Sequence, residues 1–472
     1  MKIIRPSVFI FIVLLGFAVS AKKRPKLLSL EELKKQEVYY SVEDAIRNRK
    51  KAWRLNLERQ QLKTLPKKIE KLSNLQELSL SYNRFETLGA EIFSLANLQI
   101  LKIEGNSLKK LPEGIGNLKN LQELHLIGNQ LKELPEELAN CTKLRIIKAG
   151  ENQIKSLPER FGELANLSEL DLFSNNLKTL PVGFGGLVNL KTLDLDRNNL
   201  ETLPESFGNL QGLKILKLER NRLRSLPDSF SKLIKIRELK LMNNALESLP
   251  EGFGNLKLLT ELNLNHNALK RIPESVGEMH GLKMLDVSKN QLEELPETLK
   301  ELENLETLNL RENKISRITG DVLNLPKLKT VDLSINRIKK FMPATSRLTG
   351  LEYLDLEMNE IAVIGFDFSP MQNLKVLNLG QNNLADLPVS IYEAASLEKL
   401  LAGDNRLETM SKQINRLANL KVLDLSSNEF ILVPLTIGEV KSLEEVRLSG
   451  NPFYKWHIKQ IREKIKVGRL IF

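Results

Sequence analysis

Leucine recurs along this chain at fixed offsets, and the whole set of offsets repeats every 23 residues. The unit reads L-x-x-L-x-L-x-x-N-x-L-x-x-L-P, as in Leu121, Leu124, Leu126, Asn129, Leu131, Leu134 and Pro135, or Leu190, Leu193, Leu195, Asn198, Leu200, Leu203 and Pro204. Its L-x-L piece alternates with period two, which predicts a short strand with leucines on one side and variable residues on the other. A unit this small cannot bury its own apolar face, so the fixed period predicts a solenoid in which each unit stacks on the next. The strands then form one parallel sheet, an arc roughly 80 Å long at ~4.8 Å per step. The opposite side needs more room per unit, and the stack is expected to bend with the sheet inward.

One polar position is as regular as the leucines. Asn83, Asn106, Asn129, Asn152, Asn175, Asn198, Asn221, Asn244, Asn267, Asn290, Asn313, Asn336, Asn359, Asn382, Asn405, Asn428 and Asn451 follow without insertion or deletion, and Gln60 holds the slot before them. Eighteen units therefore run over residues 52–451. A chain that turns sharply after a strand leaves backbone donors and acceptors facing the core, each costing ~1–3 kcal/mol if unpaired. A carboxamide pairs with both kinds, so these side chains are expected to form a buried structural ladder and not a ligand site.

Six residues after the polar slot, twelve of the eighteen units carry proline: Pro66, Pro112, the run from Pro135 to Pro296, Pro388 and Pro434. Proline fixes φ and forbids an earlier helix start, so the return side should be extended or tightly turned. Phe161, Phe184, Phe207, Phe230 and Phe253 fall nine residues after the Asn in five consecutive units and are expected to stack as an aromatic spine. The single cysteine, Cys141, takes a slot that leucine fills in flanking units, and reads as a small core residue.

This pattern resembles the leucine-rich repeat family, in the 23-residue variety found in bacterial exported proteins and eukaryotic scaffolds. The resemblance covers most of the chain. It implies an α/β solenoid, a curved horseshoe with a parallel β-sheet on the concave face, extended and 3-10 segments on the convex side, and short capping helices at both ends. It also implies a concave surface that binds other macromolecules, without naming them.

The two ends depart from the repeat. Residues 1–21 read as a signal peptide, with Lys2 and Arg5, an apolar run from Val8 to Phe17 and small residues at Ala18 to Ala21. The charges from Lys22 to Lys26 fall on the side that resists translocation, so an uncleaved anchor is the alternative. Residues 22–51 form a basic segment with a capping helix started by Ser41, and residues 452–472 a closing helix from about Lys455 to Lys466 with a last strand at Leu470 to Phe472. One cysteine excludes an intramolecular disulfide framework. Net charge is +11, but residues 1–51 carry +7 and residues 452–472 carry +5, which leaves the repeats at −1. Nucleic-acid binding by the repeats therefore has no electrostatic support. The basic ends could meet anionic lipid or polysaccharide.

Function should be written on the residues six, four and two before each Asn, which point out of the sheet. Two features stand out there. The first is an apolar run: Ile100, Ile127, Ile146, Phe173, Ile215, Met242, Met284, Tyr353, Val376, Leu401 and Val422. An apolar patch with a polar rim marks an interface. The second is a charge alternation four residues before the Asn, with Lys102, His125 and Lys148, then Asp171 and Asp194, then Lys217 and Lys240. Opposite charges on neighbouring strands can also satisfy one another. Asp171, Asp194 and Asp196 suggest a cation site, but their bases diverge on a sheet with Lys148 and Lys217 beside them.

Four histidines at no metal-binding spacing, no Gly-rich phosphate loop and no nucleophile elbow leave no constellation for chemistry. No enzyme activity, cofactor or metal is expected. The sequence reads as an exported bacterial binding protein, secreted, periplasmic or at the cell surface, that recognises a host or surface component through its concave sheet. Its alternatives are a structural envelope component held by its basic ends, and an intracellular scaffold if export fails.

Overall fold

The computed structural model describes residues 26–472. The signal reading of residues 1–21 lies outside them. Twenty strands, nearly all three residues long, build one open sheet that begins at Val38–Tyr39 and ends at Arg469–Ile471. Every pairing is parallel, and each strand meets the same position one unit on, as Leu124 meets Ile147 and Leu170 meets Leu193. The inward leucines make one continuous core from the first cap to the last, with most side chains fully buried. Layer-on-layer burial of this kind needs no disulfide, and Cys141 is buried within it, its thiol pushed up to about 11 by desolvation.

The asparagine ladder forms as the pattern requires. Fourteen of the seventeen are buried and Asn244, Asn267 and Asn451 partly so. Asn129 is representative: its Nδ2 donates to the Ile103 and Leu126 carbonyls, each at 2.9 Å, and its Oδ1 accepts from Leu108 N at 3.0 Å. Each amide thus ties its own turn to the preceding unit. The residue just before each of the seventeen adopts a left-handed conformation, with φ between 51° and 74°. That twist reverses the chain and aims the amide inward. Only Gly105, Gly128 and Gly450 are glycines there, so the remaining positions accept ~1–2 kcal/mol of backbone strain against the bonds the turn makes.

On the return side, each of the twelve prolines immediately precedes a five-residue 3-10 turn, Glu136–Asn140 after Pro135 for example. The aromatic spine stacks from Phe184 through Phe207 and Phe230 to Phe253, at 6.0, 6.2 and 6.2 Å with planes within 4°. A feature the sequence reading did not anticipate appears where three consecutive units have Thr319, Met342 and Gly365 in the proline slot. There Arg317–Gly320, Lys340–Pro343 and Val363–Ile364 pair as a second parallel sheet. Restoring the N–H that proline lacks allows the ladder.

Among the described residues, four short helices complete the fold. α1 (Leu30–Lys34) starts at a Ser29–Glu32 capping box, and α2 (Val42–Arg47) at Ser41, whose hydroxyl accepts from Asp44 N at 3.1 Å. α3 (Ala90–Phe93) replaces one 3-10 turn, and α4 (Lys455–Lys464) closes the far end with His457 and Ile461 buried. α1 was not expected. It lies against the first units: Gln76 bonds the Leu28 nitrogen (3.0 Å) and the Lys26 carbonyl (2.9 Å), Gln99 bonds the Leu28 carbonyl (2.9 Å), and Arg54 bonds the Lys34 carbonyl (2.9 Å).

Candidate functional site

The outward rows of the sheet are built by strand geometry alone, because alternation sends the residues between the core leucines to the concave side. Ile127, Ile146, Phe173, Ile215, Met242 and Met284 are spread over eight consecutive strands there, to which Thr192–Asp194 and Glu261–Asn263 contribute none, and all are half-buried. Ile100 is a correction. It is only 5% exposed, and with Leu33 of α1 it is buried outside the continuous repeat core. The N-terminal segment therefore removes Ile100 from the open surface. Tyr353 stands three strands beyond Met284, about 14 Å at the usual spacing, with Thr307 and Thr330 between them in the row. Its hydroxyl donates to Asp355 Oδ2 at 2.8 Å. Val376, Leu401 and Val422 lie further along and are half-buried as well.

Phe173 owes its position to Gly150, its neighbour in the row two before the Asn. A Cβ on Gly150 would come 2.4 Å from the Phe173 Cδ1 atom, so the ring lies directly over the glycine. It fills the space between its own strand and that of Ile127. The apolar run is thus a packed surface and not a bare stripe.

The charged row pairs sideways more than along itself. Lys148 reaches Glu169 at 3.1 Å, Lys240 reaches Glu238 at 3.8 Å, and His125 lies between Glu104 (3.3 Å) and Glu123 (3.4 Å). Lys217 does meet Asp194 within the row, at 3.0 Å, and this bond holds the ammonium more firmly protonated. Asp171 and Asp196 are the exceptions. Burial raises the affinity of both for a proton, with the Asp194 charge adding to it, and Asp196 is pushed up to about 6. Asp196 accepts from Glu219 N at 2.7 Å. Among the described residues, no group of three or more His, Cys, Asp or Glu side chains is placed to hold a metal ion.

One step of the sheet is parted. Lys214 O accepts from Arg237 N (2.8 Å) and Glu238 N (3.1 Å), and the matching pair of bonds recurs throughout the repeats. At the next step Arg237 O receives neither Thr260 N nor Glu261 N, and Lys240 with Asn263 is the only strand pair in register. In the row six before the Asn, this step sets Glu238 beside Glu261, the only adjacent like charges of that row. Like charges on neighbouring strands repel. In the row four before the Asn, Asp171 with Asp194 and Asp332 with Asp355 are neighbouring like charges as well, and both of those steps stay closed. The opening leaves a hollow of about 440 Å³ lined by Glu219, Glu238, Lys240, Met242, Glu261 and Met284, among others. Sequence reasoning singled out three of these and missed the glutamates, whose succession was the available signal.

The whole-chain comparison agrees with this geometry. Residues 26–153 and 183–267 match the family described as a leucine-rich repeat region; 142–200, 326–384 and 349–407 match the leucine rich repeat, and 303–345 its two-copy form. A leucine-rich repeat protein of Leptospira interrogans is 30% identical over 93% of this chain and 100% of its own, with a TM-score of 0.56. The chain belongs to the leucine-rich repeat family, whose fold is a protein-interaction module. YopM from Yersinia enterocolitica is 25% identical over 87% of this chain and 85% of its own, at a TM-score of 0.55. The Arabidopsis receptor kinase HAESA, solved with the peptide hormone IDA and the co-receptor SERK1, is 27% identical over 84% of this chain and 70% of its own, at 0.60. No curated protein matches the chain.

Proposed function

We propose that this is an exported bacterial binding protein whose concave sheet captures another protein at a host or environmental surface, by contacts centred on Ile127, Ile146, Phe173, Ile215, Met242 and Met284. Lys148, Asp171, Asp194, Lys217 and Lys240 frame these side chains and set the charge a partner must match. Methionine and aromatic anchors dominate protein interfaces, and neighbouring charges decide which partner is accepted.

The observation that carries the reading is the parted step. It leaves two backbone donors and one acceptor without ladder partners beside Met242, next to a hollow that Met284 also lines. Groups of that kind gain from a partner able to pair with them. The peptide-bound plant relative supports a protein as the occupant, and the Leptospira relative together with the apolar run near the N-terminus supports a bacterial, exported setting.

The test uses Phe173→Asp with Met242→Asp, beside a control at the exposed Ile234 away from the concave rows, in capture of proteins from labelled host-cell and bacterial surfaces. The double variant should lose partners that the wild type and Ile234→Asp both retain, with the far-UV spectrum unchanged. Retention of the same partners would remove the concave face from the reading. Determining the mature N-terminus from fractionated cells tests the export half separately.

A further inference from the structure

The C-terminal end carries an exposed aromatic pair outside the sheet. Tyr454 and Trp456 are 52% and 56% exposed, and their rings stack at 5.9 Å with planes 13° apart. An aromatic pair held in this way is already ordered before anything binds. Ile431 and Leu432, each 45% exposed, adjoin the helix, because His457 Nε2 sits 3.0 Å from the nitrogen of Val433. A hollow of about 800 Å³ beside them also carries Glu408 and Glu429 together with Lys412.

The charge on α4 is one-sided. Lys455, Lys459 and Arg462 recur at helical spacing on its solvent face next to Trp456, and Glu463 is the only acid in the helix. Arg469 pairs with Glu445 at 3.7 Å, while no ion pair among the described residues engages Lys455, Lys459, Lys464 or Lys466. Four ammonium groups without an ion pair, three on α4 and one two residues after it, at the end of the chain that also exposes Trp456, Tyr454, Ile431 and Leu432, match one environment in both respects. It is the boundary of an anionic bilayer, where Trp and Tyr rings rest at headgroup level and lysines meet acidic lipids.

We infer that the α4 end, through Trp456, Tyr454, Ile431, Leu432 and the lysines of α4, docks on an anionic lipid surface and holds the solenoid end-on to it. A soluble acidic polysaccharide would satisfy the lysines but leave Ile431 and Leu432 in water. This contact is independent of the concave face, which stays free when the end is docked.

The test places Trp53→Phe in the full chain, so that Trp456 is the only tryptophan, and follows its emission with vesicles of phosphatidylcholine alone or enriched in phosphatidylglycerol. Enriched vesicles should shift the emission to the blue and allow quenching by brominated lipid. Plain vesicles should not. Lys455→Glu with Lys459→Glu should weaken partitioning roughly tenfold or more, since each lysine near the surface contributes to binding. Tethering through the Val8 to Phe17 run would leave Trp456 emission unmoved. An unmoved emission with anionic vesicles, an equal shift with plain ones, or a matching shift with heparin would each overturn the inference.

Discussion

The Phe173 ring lies over the α-carbon of Gly150, with its Cδ1 atom only 2.4 Å from where a Cβ would sit. A methyl group at Gly150 must therefore push the ring away from the sheet or shift a strand. Gly150→Ala should expose Phe173 and lower stability by about 1–3 kcal/mol, the usual cost of overpacking a filled site. Thermal melting with a crystal structure of the variant checks it; an unmoved ring and unchanged melting temperature would contradict the packing described.

Asp196 titrates in an unusual window. Its folded pKa is raised from 3.8 to about 6, with burial the main cause, so the folded state favours the neutral acid. Below the unfolded value both states are protonated and nothing is lost. As pH rises from about 4 to 6 the unfolded state ionises more readily, and stability falls by the cost of the buried charge. Asp196→Asn should stabilise the protein by about 1–2 kcal/mol at neutral pH, after allowance for solvent screening, and by little at pH 4. The neutral amide can still accept from Glu219 N. Denaturant melts at both pH values test it, and equal effects at the two would refute the shift.

The ladder amides should differ in cost by exposure. Asn290 is buried and bonds the carbonyls of Leu264 (3.0 Å) and Val287 (2.9 Å) and the nitrogen of Leu269 (2.9 Å). Asn267 makes the same kinds of bond but is only partly buried, next to the short Ala268. Asn290→Ala should cost about 3 kcal/mol or more, because several buried groups lose their partners at once. Asn267→Ala should cost visibly less, since water can reach the gap. Equal losses in urea unfolding would argue against that difference.

Amide exchange should reveal the parted step. Thr260 and Glu261 nitrogens lack the acceptor that Arg237 and Glu238 nitrogens find in Lys214 O. Their exchange should be roughly tenfold faster or more, as expected of backbone groups with no ladder bond. Removing the repulsion with Glu261→Thr should slow it. Fast exchange that persists in this variant would point away from charge as the cause.

Much of the fold was legible because a repeat writes each local rule many times. Leucine spacing, the carboxamide slot and the proline slot each mapped onto one structural role, down to the tight turn after each of the twelve slot prolines. The left-handed residue before each Asn was not legible, since its side chains range from Gly105 to Ile335 and only the backbone is constrained. The candidate site was legible as rows but not as a patch. Nothing local shows that α1 covers the start of the sheet and withdraws Ile100, or that Lys148 turns to Glu169 and not to Asp171. Those outcomes depend on where long side chains and a distant segment come to rest.

By itself, the sequence determined the stacking period, the direction each side chain faces and the identity of the core, because these follow from neighbours along the chain. Tertiary structure alone decided which outward residues stay open, which charges neutralise one another and that the sheet parts at the step between Glu238 and Glu261. Those quantities are set largely by contacts between units, where charge, burial and packing act on residues from successive repeats, as with Lys148 and Glu169.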